Sequence, residues 1–263
     1  MAKILEKIIG TLALSVCLAC SPRYKTNNIH PVNYERAGMK AIRGEYDYIV
    51  IHSSGQVEED HARQESAQLF SFMSSLHSKI HGNEPIILLD GYECMNNDGS
   101  LKSLDEVFKE DYRLKGRRDN FPDDSHLEAA YAHNTPANTR ELRNRKQHDK
   151  KRILIVTSDY HKARVSQVTN YYFKGRDEQI EVYGVETDYG TSFQGLKNLS
   201  KKLLFEFASR WQTWAIFKDE KSSDPQVLTD HYDKELYNVV DGNLVKKPLS
   251  EQAYNFVRSV FRK

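Results

Sequence analysis

No apolar run in this chain of 263 residues reaches the ~20 that a helix needs to cross a bilayer. The longest, residues 8–19, is about a dozen long, which suits the apolar core of a secretory signal rather than a settled span. Cysteine is scarce: Cys17, Cys20 and Cys94 are too few for a disulfide-stapled scaffold. Neither sign of charge is in excess. The formal net charge is +1, and it falls to zero without residues 1–20, which carry Lys3, Lys7 and Glu6. That balance argues against nucleic acid as a partner. The Lys/Arg clusters at 140–152 and 197–202 read as solvated helix faces. Also missing are a glycine-rich dinucleotide loop, a phosphate loop with its Lys-Ser/Thr pair, a zinc-protease motif and a nucleophile elbow. His77 and His81 stand four apart on an expected helix but have no third ligand nearby, so they read as a solvent-facing pair.

What is present begins with the N-terminus. Lys3 and Lys7 precede the apolar run, and Cys20-Ser-Pro-Arg breaks it. Leu18-Ala19-Cys20 looks like the end of a bacterial lipoprotein signal, with Cys20 as the lipidated residue, although Cys17 stands where that pattern usually has Leu. Another kind of signal segment and a cytoplasmic start are the alternatives. If the leader leaves, Cys94 alone remains; it reads as a small packing residue with no disulfide partner. The expected organisation is a signal segment over 1–20, a tether over 21–42, an α/β domain over 43–218 and a C-terminal appendage over 219–263.

Short β-branched blocks mark the strands. Tyr46-Asp-Tyr-Ile-Val-Ile-His52, Pro85-Ile-Ile-Leu-Leu-Asp90, Arg152-Ile-Leu-Ile-Val-Thr-Ser158 and Ile180-Glu-Val-Tyr-Gly184 each read as a strand. Helical spacing of large apolar residues predicts helices over 60–80, around Leu104, Val107 and Phe108, after Ser158 as far as Phe173, and over 196–217. The helix at 196–217 is expected to pack across the sheet, with an apolar face toward a membrane or partner as the alternative. Residues 115–124 read as a surface loop. Thr135 is the expected N-cap of a further helix, with Pro136 at its first position. Asp241-Gly242 predicts a hairpin, and Tyr254, Val257 and Phe261 a terminal helix. Alternating strands and helices imply a parallel sheet.

The chemistry gathers where strands hand over to helices, the place at which such folds bind ligands. Ser158, Asp159, His161 and Arg164 follow one strand within seven residues. His161 and Arg164 are three apart, so they neighbour each other on a helix. Arg164 offers a fork of donors to a phosphate or carboxylate, and His161 a hydrogen bond or a proton near neutral pH. The ordinary alternative is that Ser158 or Asp159 caps the helix and His161 lies on the surface. Asn134, Thr135 and Asn138 open another helix; the two Asn amides, four residues apart, could orient a ligand with Thr135, or Thr135 could simply cap. Ser53, Ser54 and Gly55 after the first strand could offer backbone N–H groups, or make a plain turn.

These pieces, in this order, resemble the SanA/YdcF/ElyC family of bacterial envelope-associated proteins (domain of unknown function 218). The resemblance spans about Tyr46 to Gly184. It rests on the strand ending in Ser53-Ser54-Gly55, on Arg63 with Ala67 and Leu69, on Asn134, Thr135 and Asn138, and on Val156-Thr157-Ser158 with His161, Ala163 and Arg164. Ser53-Ser54-Gly55 stands where the family is glycine-rich, and Leu89-Asp90-Gly91 replaces its Ser-Gly-Gly. The resemblance implies a three-layer, Rossmann-like α/β fold, mainly parallel with helices on both faces, and an exported or membrane-anchored protein of envelope maintenance. The expected ligand is an anionic small molecule, phosphorylated or nucleotide-like, and the expected enzyme, if there is one, acts on a phosphate-linked envelope precursor. No cofactor is identified. Two rivals stand: a non-catalytic ligand-sensing or partner-binding module, and a cytoplasmic protein binding a nucleotide or S-adenosylmethionine.

Overall fold

Tyr48-Ile-Val-Ile-His52 and Ile153-Leu-Ile-Val156 are buried at every position, as strands covered on both faces must be. They lie side by side at the centre of a six-stranded sheet in which every pairing is parallel. The structure, a computed structural model, describes residues 29–52, 85–91, 93–95, 101–103, 127–131, 134–145, 151–186, 193–240, 243–248 and 251. The sheet strands are β1 (Ile29–Val32), β2 (Tyr48–His52), β3 (Ile86–Gly91), β6 (Leu127–Tyr131), β7 (Arg152–Ser158) and β8 (Gln179–Val185), in the spatial order β1-β8-β7-β2-β3-β6. A separate antiparallel ribbon pairs β4 (Glu93–Met95) with β5 (Leu101–Ser103). The helix expected around Leu104, Val107 and Phe108 lies outside the described residues.

Helices lie on both faces. α1 (Tyr34–Ile42) holds Glu181 of β8, while Gly184, on the opposite face by strand alternation, meets the turn that leads into α3 (Lys162–Tyr172). α2 (Thr135–Arg145) packs beside α3. The fold is therefore three-layered, α/β and Rossmann-like.

The tether expected over 21–42 is corrected by what residues 29–42 form. β1 joins the sheet edge beside β8, and α1 follows at once. Pro31 hid the strand, yet it is exposed on an edge, where a missing N–H is tolerated. The helix was hidden because the residues it buries are small: Ala37, Gly38 and Ala41. Asn33 caps it, its side chain accepting from the Arg36 N–H at 3.0 Å. Gly44 ends it in the left-handed region at φ 66°, with the Glu45 N–H returning to the Lys40 carbonyl.

Carboxylates, one buried and one half-buried, fasten the amino ends of the strands. Glu181 Oε1 accepts from Lys40 Nζ at 3.0 Å and Arg36 Nε at 3.1 Å, and Oε2 accepts from the Tyr46 hydroxyl. Burial pushes the Glu181 carboxyl up, but hydrogen bonds from Tyr46, Lys40 and Arg36 outweigh it and hold the group below the ordinary carboxylate range. Burial and that same carboxylate drive the Tyr46 hydroxyl far upward. A cavity of about 330 Å³ adjoins this cluster, lined by Arg36, Lys40, Tyr46, Arg152, Gln179 and Glu181 among others. Nearby, Asp47 accepts from the Arg152 N–H at 2.9 Å and from Arg152 Nη2 at 2.8 Å.

The chain divides into two compact units. One is the sheet unit, Thr26–Thr187 with Ser223–Thr229; the described part of the other lies in Asp188–Ser222 and Asp230–Lys263. Ser223–Thr229 belongs with the sheet because Arg143 donates to the Ser223 carbonyl, and the Tyr172 and Thr229 hydroxyls meet at 2.8 Å. The second unit holds α4 (Phe193–Phe217), most of α5 (Pro225–Leu236), and the ribbon β9 (Tyr237–Val240) with β10 (Asn243–Lys246). Within it Phe217 stacks on Tyr232 at 5.9 Å, and Trp211 meets Trp214 edge-on at 5.4 Å. The expected boundary at 218/219 is thus displaced, since α4 groups with C-terminal residues rather than with the sheet. Val240 pairs with Asn243, as the expected hairpin requires. Among the described residues no helix is long and apolar enough to cross a membrane. The helices expected over 60–80 and around Tyr254, and the loop over 115–124, lie outside the described residues.

Candidate functional site

The strand order reverses between β2 and β7. From β2 the chain moves outward through β3 to β6, then returns by α2 to β7 on the other side of β2. Parallel α/β sheets bind ligands outside the carboxyl ends of the strands at such a reversal. His52 is the last residue of β2 and Ser158 the last of β7. Three residues on, the imidazole of His161 stacks on that of His52, with centroids 5.4 Å apart and planes 17° from parallel. Both rings are buried.

His161 begins α3 without a side-chain cap bond to the helix. Its ring nitrogens are engaged across the cluster instead. Nδ1 lies 3.3 Å from Arg164 Nη2, and Nε2 lies 3.5 Å from Thr135 Oγ1. Arg164 is only 8% exposed. The expected pairing of His161 with Arg164 is therefore present, whereas a surface position for His161 is not.

Asn134, rather than Thr135, caps α2: its Oδ1 accepts from the Ala137 N–H at 2.8 Å. That corrects the expected cap and leaves the Thr135 hydroxyl to meet His161. Asn138, one turn along, is 3% exposed, and its Oδ1 has no hydrogen-bond partner among the described residues. The same holds for Thr157 Oγ1 at the end of β7. A buried polar atom costs about 1–3 kcal/mol unless something pairs with it, so this is a demanding place to keep such groups. Ser158 is buried, and its carbonyl accepts from the His161 N–H at 3.0 Å. Burial pushes the neighbouring Asp159 carboxyl up, although its side chain accepts from the Tyr160 N–H.

Of the residues singled out in the sequence, Thr135, Ser158, His161 and Arg164 come together, with Asn138 on the same helix as Thr135. Ser53, Ser54, Gly55 and Cys20 lie outside the described residues, as do Arg63, Ala67 and Leu69. His52 was missed. It reads as the end of a strand, and only the sheet order carries it to His161, 109 positions later. Among the described residues no three His, Cys, Asp or Glu side chains group to hold a metal ion. The cavity beside Glu181 is not part of this cluster; it adjoins Arg152 and Gln179, the first residues of β7 and β8.

The turn that presents His161 depends on Gly184. A Cβ on that residue would lie 2.8 Å from Asp159 Cα, and the Asp159 N–H donates to the Val185 carbonyl at 2.9 Å. Gly184→Ala must push this backbone away. The expected loss is about 1–3 kcal/mol, read as a lowered urea midpoint, accompanied by weaker binding of any ligand held by His161. An unchanged midpoint would show that the turn yields freely.

Together the groups form a buried guanidinium, two stacked imidazoles and short polar side chains at a strand reversal. Such a set can hold an oxyanion through charge-assisted hydrogen bonds. No protein-family model, curated protein or solved structure matches this chain.

Proposed function

We propose that this protein binds a phosphorylated or nucleotide-like small molecule at the carboxyl ends of β2 and β7. Arg164 pairs with the anion, His161 and Thr135 hydrogen-bond to it, and Asn138 orients it. The observation that carries this reading is the convergence of His52, Thr135, His161 and Arg164, from three separate stretches of chain, at the reversal of strand order. The resemblance to the SanA/YdcF/ElyC proteins and the Leu18-Ala19-Cys20 pattern support an exported, membrane-tethered role in bacterial envelope maintenance. If the site turns substrate over, hydrolysis or transfer on a phosphate-linked envelope precursor suits an arginine and imidazole donors.

A second reading is a ligand-sensing module that docks a partner. It is favoured by the exposure of Leu204, Phe205, Val239 and Val245 in the second unit. Thermal-shift measurements on the purified chain decide the ligand class. Inorganic phosphate, nucleotides, sugar phosphates and polyprenyl phosphates are expected to raise the melting temperature, and S-adenosylmethionine is not. If no phosphate-bearing compound stabilises the protein, the reading fails. Partner capture without any ligand response would favour the module.

A further inference from the structure

The contact between Arg164 and His161 restricts what this imidazole can do. A guanidinium has five N–H donors and no acceptor. With Arg164 Nη2 3.3 Å from His161 Nδ1, Nδ1 must be the accepting nitrogen and therefore carry no proton. In a neutral ring the hydrogen then sits on Nε2, the nitrogen that faces Thr135 Oγ1 at 3.5 Å. A proton on Nδ1 would set donor against donor beside a fixed positive charge. Among the described residues the His52 ring, stacked from β2, and the Tyr160 ring, whose centroid is 6.5 Å away, also adjoin it.

We infer that Arg164, besides pairing with the anion, locks His161 as a neutral imidazole with its hydrogen on Nε2, making that imidazole a hydrogen-bond donor and not a proton acceptor. This rests on the proposed anion site and deepens it by defining the chemistry of the bound group. A ligand atom met by Nε2–H must be an acceptor; at the proposed anion site that is a phosphoryl, phosphodiester or carboxylate oxygen. A hydroxyl that needs its proton removed finds no base in His161. The charge that matches the anion comes from Arg164, and the imidazole supplies direction. In any reaction at this site His161 would stabilise charge gathering on an oxygen, as a fixed donor does. Of the two roles the sequence offers His161, a hydrogen bond or a proton, this inference selects the hydrogen bond.

The test needs no ligand. In protein labelled with ¹⁵N-histidine, the His161 signals are identified by their loss in His161→Gln, and their nitrogen shifts report the tautomer. The expected result at neutral pH is an unprotonated Nδ1 and a protonated Nε2. Arg164→Gln keeps an N–H donor without the charge and should preserve that pattern, whereas Arg164→Met should lose it to a mixture of tautomers. A protonated Nδ1 in the parent protein overturns the inference, as does an unchanged pattern in Arg164→Met. Binding of inorganic phosphate gives a second readout. His161→Gln, which retains a donor, should stay within about threefold of the parent affinity, and His161→Ala should lose about tenfold. Equal losses in the two variants would count against the donor role. Because the tautomer is read on the ligand-free protein, a failure to bind any anion would defeat the proposed function and leave the tautomer result standing.

Discussion

Arg164→Ala will remove most of the thermal stabilisation conferred by phosphate-bearing ligands. The guanidinium is almost fully buried and is placed beside His161 by a single helical turn. A buried charge-assisted contact contributes about 1.5–3 kcal/mol, and two parallel bonds to one oxyanion reach the upper end. The expected loss in affinity is therefore about a hundredfold, leaving only a small ligand-dependent shift at about a hundred times the parent dissociation constant. The substitution also removes the donor to His161 Nδ1, so binding should suffer more than truncation of a surface arginine would cause. Arg36→Ala is the control: its guanidinium side chain is 58% exposed and serves Glu181, and its effect on ligand affinity should be negligible. If the two variants bind alike, Arg164 is not the anion partner.

The largest expected effect on stability comes from the other end of the strands. Glu181→Ala strips the acceptor from Tyr46, Lys40 and Arg36 at once. Arg36 can turn to solvent and contributes little. Tyr46 is buried, and its hydroxyl would be left without this partner. A loss of about 2–3 kcal/mol follows, or roughly 4–12 °C in melting temperature for a unit of this size. The pH dependence carries the same signature. Glu181 is held below its ordinary value of 4.5 when folded, so its contribution is complete above that value and is lost as pH falls through the lowered one. Asp47, also held low despite the upward push of burial, behaves alike through its bonds to Arg152 and Lys151. Acid unfolding should therefore be shallower in Glu181→Gln than in the parent. Ligand affinity should be unchanged in both Glu181 variants, since Glu181 touches α1 rather than the His161 cluster.

Much of the central sheet was legible because its signal is local. Arg152–Ser158 is a continuous apolar block ended by hydroxyls, and no other element fits that pattern. The pairing of His161 with Arg164 followed from helical spacing alone. What could not be read was long-range or carried by small residues. His52 gains meaning only from strand order, which no local pattern encodes. α1 buries Ala37, Gly38 and Ala41, whose side chains are too small to mark an apolar face. α5 did carry a legible signal that was passed over: Asp224 precedes Pro225, and its carboxylate accepts from the Gln226 and Val227 N–H groups. At α2 the sequence offered Asn134 and Thr135 as caps, and the choice between them decides which side chain meets the imidazole.

The edge position of β1 governs the order of events during synthesis. Ile29 pairs with Ile180, 151 positions later. At a ribosomal rate of about 5–20 residues per second, that partner emerges roughly 8–30 s after the first strand. Until then β1 lacks its strand partner, and the six strands cannot close into their final sheet. Any factor that meets the nascent chain in that interval meets a sheet still short of its edge pair.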